Sequence, residues 1–246
     1  MKPLAVLLVF LGLTTAAAGA TCRVESYEGN SYTICDVDLR QDQLSLFLND
    51  PSGQAFGYFS AVDATLAAQG KQLGFAMNAG MYHDDRMPVG LYVENGKQIQ
   101  RLITSDGPGN FGLLPNGVFC LQADRWDVIE TKRFAAQPPA CVHATQSGPM
   151  LVIDGALHPR FLPDSTSRFI RNGVGTSADG QRATFVISNN TVNFDSFGRL
   201  FRDHLNIDNA LYLDGKVSRV RAPDLGRDDT GWTRLGPIIG VVESAE

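Results

Sequence analysis

The chain has 246 residues, a formal net charge of −5 and 43% hydrophobic residues, a size that suits one large domain with a substantial core. Its 21 basic and 26 acidic residues are interspersed. No broad basic face is available to hold a nucleic-acid backbone, so nucleic acid is not an expected partner. The 25 glycines occur without any low-complexity tract, which points to a folded, turn-rich protein rather than a disordered one.

In chain order, the first feature is Lys2, an apolar run from Leu4 to Leu13, and small residues ending in Ala18-Gly19-Ala20. This is the three-part layout of a secretory signal. The expected division is therefore a signal peptide over 1–20 and a mature domain over 21–246, exported to the periplasm or secreted. The apolar run is too short to span a bilayer, and no later segment is long and apolar enough, so no membrane insertion is expected after cleavage. Four cysteines, Cys22, Cys35, Cys120 and Cys141, fall in the exported part, where disulfides persist. Three pairings are open. The two nearest-neighbour bridges are favoured because each closes a short loop rich in turn residues, and a zinc centre is disfavoured by the absence of close Cys-x-x-Cys spacing.

Ser60, with Asp63 three residues on and Gly70 beyond, predicts a helix whose Val62 and Leu66 share a face. A strand from Leu73 then runs into Met77-Asn78-Ala79-Gly80-Met81-Tyr82. Hairpins are predicted around Asn95-Gly96, Asn116-Gly117, Asp154-Gly155, Asp179-Gly180 and Asp214-Gly215, because these dipeptides supply the positive φ angles of tight turns. Phe194, Phe197, Phe201 and Leu205 recur at helical spacing and predict a helix over 193–205 with its rings on one buried stripe. The resulting fold class is α+β: a β-rich single domain with a twisted mixed or antiparallel sheet, several hairpins and a few packed helices. No fixed-period repeat supports a solenoid or propeller.

The sequence contains no nucleophile elbow, zinc-protease helix, phosphate loop or dinucleotide fingerprint. Polar residues beside glycines at strand ends remain. Asn78 offers a donor and an acceptor to sugar hydroxyls, or to its own turn. Gln146 and Ser147 open a strand next to Gly148-Pro149. Arg171 lies in an apolar, glycine-flanked strand, where a guanidinium needs an anion partner. Asp214 ends an apolar strand at a plain hairpin dipeptide, with Ser218 beyond it. His158 ends another strand, where a structural role outweighs that of an acid. No metal ligand set is spaced along the chain and no cofactor is expected; His83-Asp84-Asp85 is the one loop where a divalent cation is conceivable, against the commoner solvated loop. Tyr82 and Trp232 are candidate sugar-stacking aromatics.

Four ordered stretches, Asn78-Ala79-Gly80-Met81-Tyr82, Gln146-Ser147-Gly148-Pro149, Arg171-Asn172-Gly173-Val174-Gly175 and Leu213-Asp214-Gly215-Lys216-Val217-Ser218, resemble those of the phosphodiester glycosidase family. Pro88 to Gly96, His158-Pro159-Arg160-Phe161 and Asn209 to Gly215 look like runs of its bacterial secreted branch. The resemblance implies hydrolysis of a sugar C1–O–phosphate bond, or of a related anionic glycoside, in the cell envelope. It further implies a carbohydrate or glycosyl-phosphate partner. On that reading Arg171 clamps the phosphate, Asp214 stabilises the sugar cation, attacks it or activates water, and Asn78 and Gln146 position ring hydroxyls. Ser147, Tyr82, His158 and Ser218 contribute to the binding rim. A noncatalytic polysaccharide-binding protein and a phosphodiesterase are the competing readings, and the oligomeric state is open.

Overall fold

The computed structural model describes residues 19–214 and 217–245. The apolar run of the expected leader, and Gly215 and Lys216 of the expected turn, lie outside the described residues. Three antiparallel sheets build the fold. The first has seven strands in the order Thr21–Tyr27, Asn30–Asp38, Arg182–Ser188, Asn172–Thr176, Asn209–Asp214, Met150–Ile153 and Ala156–Leu157. The second orders Arg227–Asp228, Val220–Ala222, Lys71–Asn78, Ile238–Ser244 and Gln43–Phe47. The third orders Lys97–Gln100, Tyr92–Glu94, His143–Ser147, Gly117–Leu121 and Trp126–Glu130. The β-rich α+β class is as expected, but the β-structure is divided among three sheets. Among the described residues no helix is long and apolar enough to cross a membrane.

The inner faces of the three sheets enclose one core. Phe75 of the second sheet, Phe185 of the first and Phe119 of the third meet there, with ring centroids 5.1 and 5.9 Å apart. All three are essentially sealed from solvent, and each such ring contributes roughly 1.5–3 kcal/mol of burial. A second apolar layer lies outside the first sheet, where Phe197 and Phe201 pack on Ile34, Leu151 and Tyr212. The strand Asn172–Thr176 accommodates that layer because it has no side chains at 173 and 175: a Cβ on Gly175 would sit 2.6 Å from Ile207, and one on Gly173 would meet the Leu211 carbonyl at 2.8 Å. The helix Phe59–Ala67 covers the outer face of the second sheet through Phe59, Val62 and Leu66.

Several turns follow the expected chemistry. Asn95-Gly96 and Asp154-Gly155 have positive φ at both positions and join paired strands, and Gly180 turns the 172–176 and 182–188 pair. Asn116-Gly117 does not. Gly117 opens a central, fully buried strand, and the hairpin closes instead at Gln122–Arg125, where the Gln122 N–H donates to the Arg125 carbonyl at 2.9 Å. Asp214 is not a hairpin corner either, because Asn209–Asp214 and Val220–Ala222 belong to different sheets. Ser60 lies inside the first helix rather than capping it; Tyr58 is the N-cap, with no side-chain cap bond, and Asp63 accepts from the Leu73 N–H at 2.9 Å. The second predicted helix is present as Phe194–Arg199, capped by Asn193, and passes into a π-helical turn over Leu200–His204. A short helix at Thr131–Ala136 was not anticipated.

Both favoured disulfides form, Cys22 to Cys35 and Cys120 to Cys141. The first joins residues that already face each other across paired strands, and the second ties the third sheet to the segment entering His143–Ser147. Replacing either pair by serines is expected to lower the unfolding free energy by about 2–4 kcal/mol, read from denaturant midpoints; a change within error would show that the fold does not rely on the bridge. A pH-dependent term is expected at Glu94. Burial pushes its carboxyl above the ordinary range, with the Tyr92 hydroxyl at 2.8 Å and the Leu48 backbone opposing. A raised folded pKa gives stability that is present below the ordinary glutamate range and is lost as pH rises through the folded value. Glu94→Gln should therefore gain stability near neutral pH and show no gain in acid; a gain that persists in acid contradicts the assignment.

Candidate active site

The strand Asn209–Asp214 is apolar and buried from Ala210 to Leu213, and Asp214 ends it, itself mostly buried. Its residue is 8% exposed and borders a cleft of ≈ 1050 Å³. The backbone around it is held by amide side chains. The Asp214 N–H donates to Asn172 Oδ1 at 2.9 Å, and Asn172 Nδ2 donates to Asn78 Oδ1 at 3.0 Å and to the Asn78 carbonyl at 3.1 Å. Asn78 Oδ1 also accepts from the Arg219 N–H at 2.9 Å. The Ser218 hydroxyl lies 2.7 Å from the Asp214 carbonyl and 3.1 Å from that of Ile170. Both asparagines have zero exposure. In this low-dielectric setting each bond is electrostatically strong and each loss is costly. Asn78 Nδ2 is buried without an acceptor among the described residues.

The cleft walls come from two loops. One carries Tyr82, Asp84 and Arg86; the other, over 100–111, carries Arg101, Asp106 and Asn110. Arg86 has φ 74 and places its guanidinium 5.4 Å from the centre of the Tyr82 ring. The Tyr82 hydroxyl donates to the Arg234 carbonyl at 3.2 Å, and burial, with the Asp214 charge adding to it, pushes its pKa up. Cationic guanidinium groups, an aromatic face and a carboxylate therefore border one open space.

Gln146 and Ser147 lie outside that space. Gln146 accepts from the N–H groups of Leu91 and Ile103, both at 3.0 Å, and donates to the Ile103 carbonyl at 2.6 Å and the Thr131 hydroxyl at 3.2 Å. Its hydrogen-bonding capacity is exhausted on the protein, so it fixes the root of the 100–111 wall instead of meeting a sugar. Ser147 donates to the Leu213 carbonyl at 2.7 Å.

Arg171 is 1% exposed and stands behind the wall. Its Nε donates to the Val192 carbonyl and its Nη2 to the Ser167 carbonyl, each at 3.0 Å, while Nη1 is buried without a partner among the described residues. The guanidinium stacks 3.6 Å from the Phe194 ring centre. Burial pushes its pKa down, with the Tyr212 hydroxyl opposing. The guanidinium also lies 5.4 Å from the Tyr212 ring centre, and neither Arg171 nor Tyr212 borders the cleft. His158 belongs to the same aromatic column: it stacks on Phe161 at 4.8 Å, and Phe161 stacks on Phe194 at 5.0 Å. Burial pushes its pKa down, and it does not line the cleft.

The structure thus gathers Asp214 and Tyr82 on the cleft and puts Asn78 and Ser218 in the brace behind Asp214. Gln146, Ser147, Arg171 and His158 support the site from outside it. Asn172, Arg86, Arg101 and Asn110 were not singled out from the sequence. Asn172 carried a usable signal, since a strand of the form Asn-Gly-Val-Gly-Thr disfavours Asn unless its side chain has fixed partners. Among the described residues no three His, Cys, Asp or Glu side chains converge as a metal site.

A family model described as phosphodiester glycosidase matches residues 71–226, a span that holds every residue of the brace and both cleft walls. The chain belongs to the phosphodiester glycosidase family. It is 35% identical over 205 residues, 83% of this chain and 76% of the relative, to an uncharacterized protein, YigE, of Escherichia coli (strain K12). Its fold is similar to the catalytic domain of zebrafish N-acetylglucosamine-1-phosphodiester alpha-N-acetylglucosaminidase auto-inhibited by its pro-peptide, with a TM-score of 0.62, 13% identity, and 93% of this chain and 84% of that one covered. A hypothetical protein from Synechocystis gives a TM-score of 0.60 at 14% identity, covering 91% of this chain and 61% of that one.

Asn172→Ala removes the acceptor for the Asp214 N–H and the donor for Asn78 together. Each buried group left unpaired costs about 1–3 kcal/mol, so the variant should unfold at clearly lower urea concentration than the wild type. An unchanged midpoint would show that the amide brace carries no structural weight.

Proposed function

We propose that the chain is a hydrolase that cleaves a sugar C1–O–phosphate bond, or a related anionic glycoside, in the cell envelope after removal of a leader over 1–20. The observation that supports it most is Asp214, held by its backbone at the edge of a ≈ 1050 Å³ cleft whose walls also carry Arg86 and Arg101. Membership of the family supports this substrate class.

Cleavage at C1 passes through an oxocarbenium-like state while a phosphate monoester departs. Such a leaving group needs little protonation, so the chief requirements are anion stabilisation on one side and a carboxylate near the developing sugar cation on the other. Asp214 fills the second role, as nucleophile, as base for water or as electrostatic partner. Arg86 and Arg101 are the guanidinium groups open to a phosphate, and Arg171 stands behind the wall. The Tyr82 ring offers the sugar an apolar face. Asn78 and Asn172 position Asp214, and Gln146 positions the wall that bears Arg101; misplacement of such groups by 1 Å is enough to cost about 100-fold in rate.

The test is release of sugar from N-acetylglucosamine 1-phosphate diesters. Asp214→Asn is expected to lower kcat by at least about 100-fold, whereas Arg101→Met raises KM more than it lowers kcat. In heavy-oxygen water the label should enter the sugar. Label in the phosphate would assign cleavage at phosphorus, and equal rates for wild type and Asp214→Asn would remove Asp214 from the chemistry. Saturable glycan binding with no turnover would favour a noncatalytic role.

A further inference from the structure

We propose a second, anion-binding site at the N-terminus of the helix Phe59–Ala67, where Arg219 takes a small tetrahedral oxyanion: inorganic phosphate or the phosphate end of a monoester. The site is a hollow of ≈ 210 Å³, separate from the Asp214 cleft. The segment 231–235 divides the two, with Thr233 on the cleft and Gly231 and Leu235 on the hollow.

Two independent features converge there. Arg219 borders the hollow and is 8% exposed, and its guanidinium makes no hydrogen bond or ion pair with any described residue; its backbone N–H donates to Asn78, and its charge reaches Tyr82 through space. None of its nitrogens is sealed from solvent, so a largely enclosed guanidinium with no described counter-ion opens onto the hollow, where an anion can bind it. Its position is fixed by bare backbone: a Cβ on Gly231 would lie 2.2 Å from Nη2 and 2.7 Å from Cζ. The second feature is the helix end itself. Tyr58, at the N-cap, is extended and provides no side-chain cap, and the first turn contains no acid. Orphan N–H groups and the positive end of the helix dipole therefore face the same space as the guanidinium. The Ser60 and Thr230 residues border it as well.

Two acids, Asp228 and Asp229, also line the hollow, and each faces an arginine of its own. Asp229 is held by Arg227 at 2.9 and 3.0 Å and accepts from the Val220 N–H at 3.1 Å, and Asp228 lies 3.4 Å from Arg221. Neither pairs with Arg219. Planar N–H donors and a helix terminus aimed at one point suit an oxyanion with several acceptor atoms better than a halide. The site stands on its own geometry and does not rest on the glycosidase reading.

Isothermal titration of the mature chain at fixed ionic strength, with inorganic phosphate and separately with glycerol 3-phosphate, tests the proposal. One saturable site that survives in Arg101→Met is expected, apart from any phosphate held in the main cleft. Arg219→Met should weaken it at least about tenfold, and so should Ser60→Asp, which puts a carboxylate in the first turn where it favours the helix and keeps the chain folded. Arg101→Met, on the main cleft, should remove only binding that belongs to that cleft and leave this site filled. Tighter binding of the ester would assign the monoester as the ligand, and equal binding the phosphate group alone. Absence of saturable binding, binding unaffected by both Arg219→Met and Ser60→Asp, or binding lost only in Arg101→Met overturns the proposal.

Discussion

Two buried amide side chains carry the arrangement of this molecule's cleft. Asn78 ends a strand of one sheet and Asn172 begins a strand of another, and their side chains bond to each other and to the backbone on either side of Asp214. A carboxylate at a strand end would ordinarily sit on a pliable turn. Here its main chain is fixed through groups with no access to water, so loosening one bond leaves another buried group unpaired. The polar junction is tolerable because aromatic packing on the inner faces, Phe75 against Phe185 and Phe185 against Phe119, holds the sheets at a set distance.

Around that junction the chain separates support from contact. Gln146 uses its whole hydrogen-bonding capacity on Leu91, Ile103 and Thr131, and thereby roots the loop that presents Arg101 and Asn110. The aromatic column of His158, Phe161 and Phe194 seats Arg171 behind the wall. Apart from Asp214, at a strand end, the arginines and the aromatic ring open to the cleft are borne by loops, whereas Gln146, which roots one of those loops, lies on a strand. Such a division lets the open groups vary while the frame stays rigid.

Cationic groups are distributed by depth. Arg86 and Arg101 stand on the cleft, Arg171 is sealed under an aromatic face with two backbone carbonyls, and Arg219 is enclosed over Gly231 at a helix end. The net charge of −5 hides this local pattern, because it sums these arginines with acids elsewhere on the surface, such as Asp127 beside Arg125 and Asp154 beside Arg133.

The sequence by itself determined what local chemistry can specify. The positive-φ turns at Asn95-Gly96, Asp154-Gly155 and Gly180, the helix with its Phe197 and Phe201 stripe, the nearest-neighbour disulfides and the family motifs were all legible, because each depends on residues close together in the chain. Tertiary structure alone decided which polar side chains reach the cleft. Asp214-Gly215 reads as a hairpin corner, yet its two strands part into different sheets; Gln146 and Arg171 read as substrate ligands, yet their partners are Ile103, 43 residues away, and Val192, 21 residues away. A side chain's spare hydrogen-bonding capacity is set by distant backbone brought alongside it, and no local pattern encodes that.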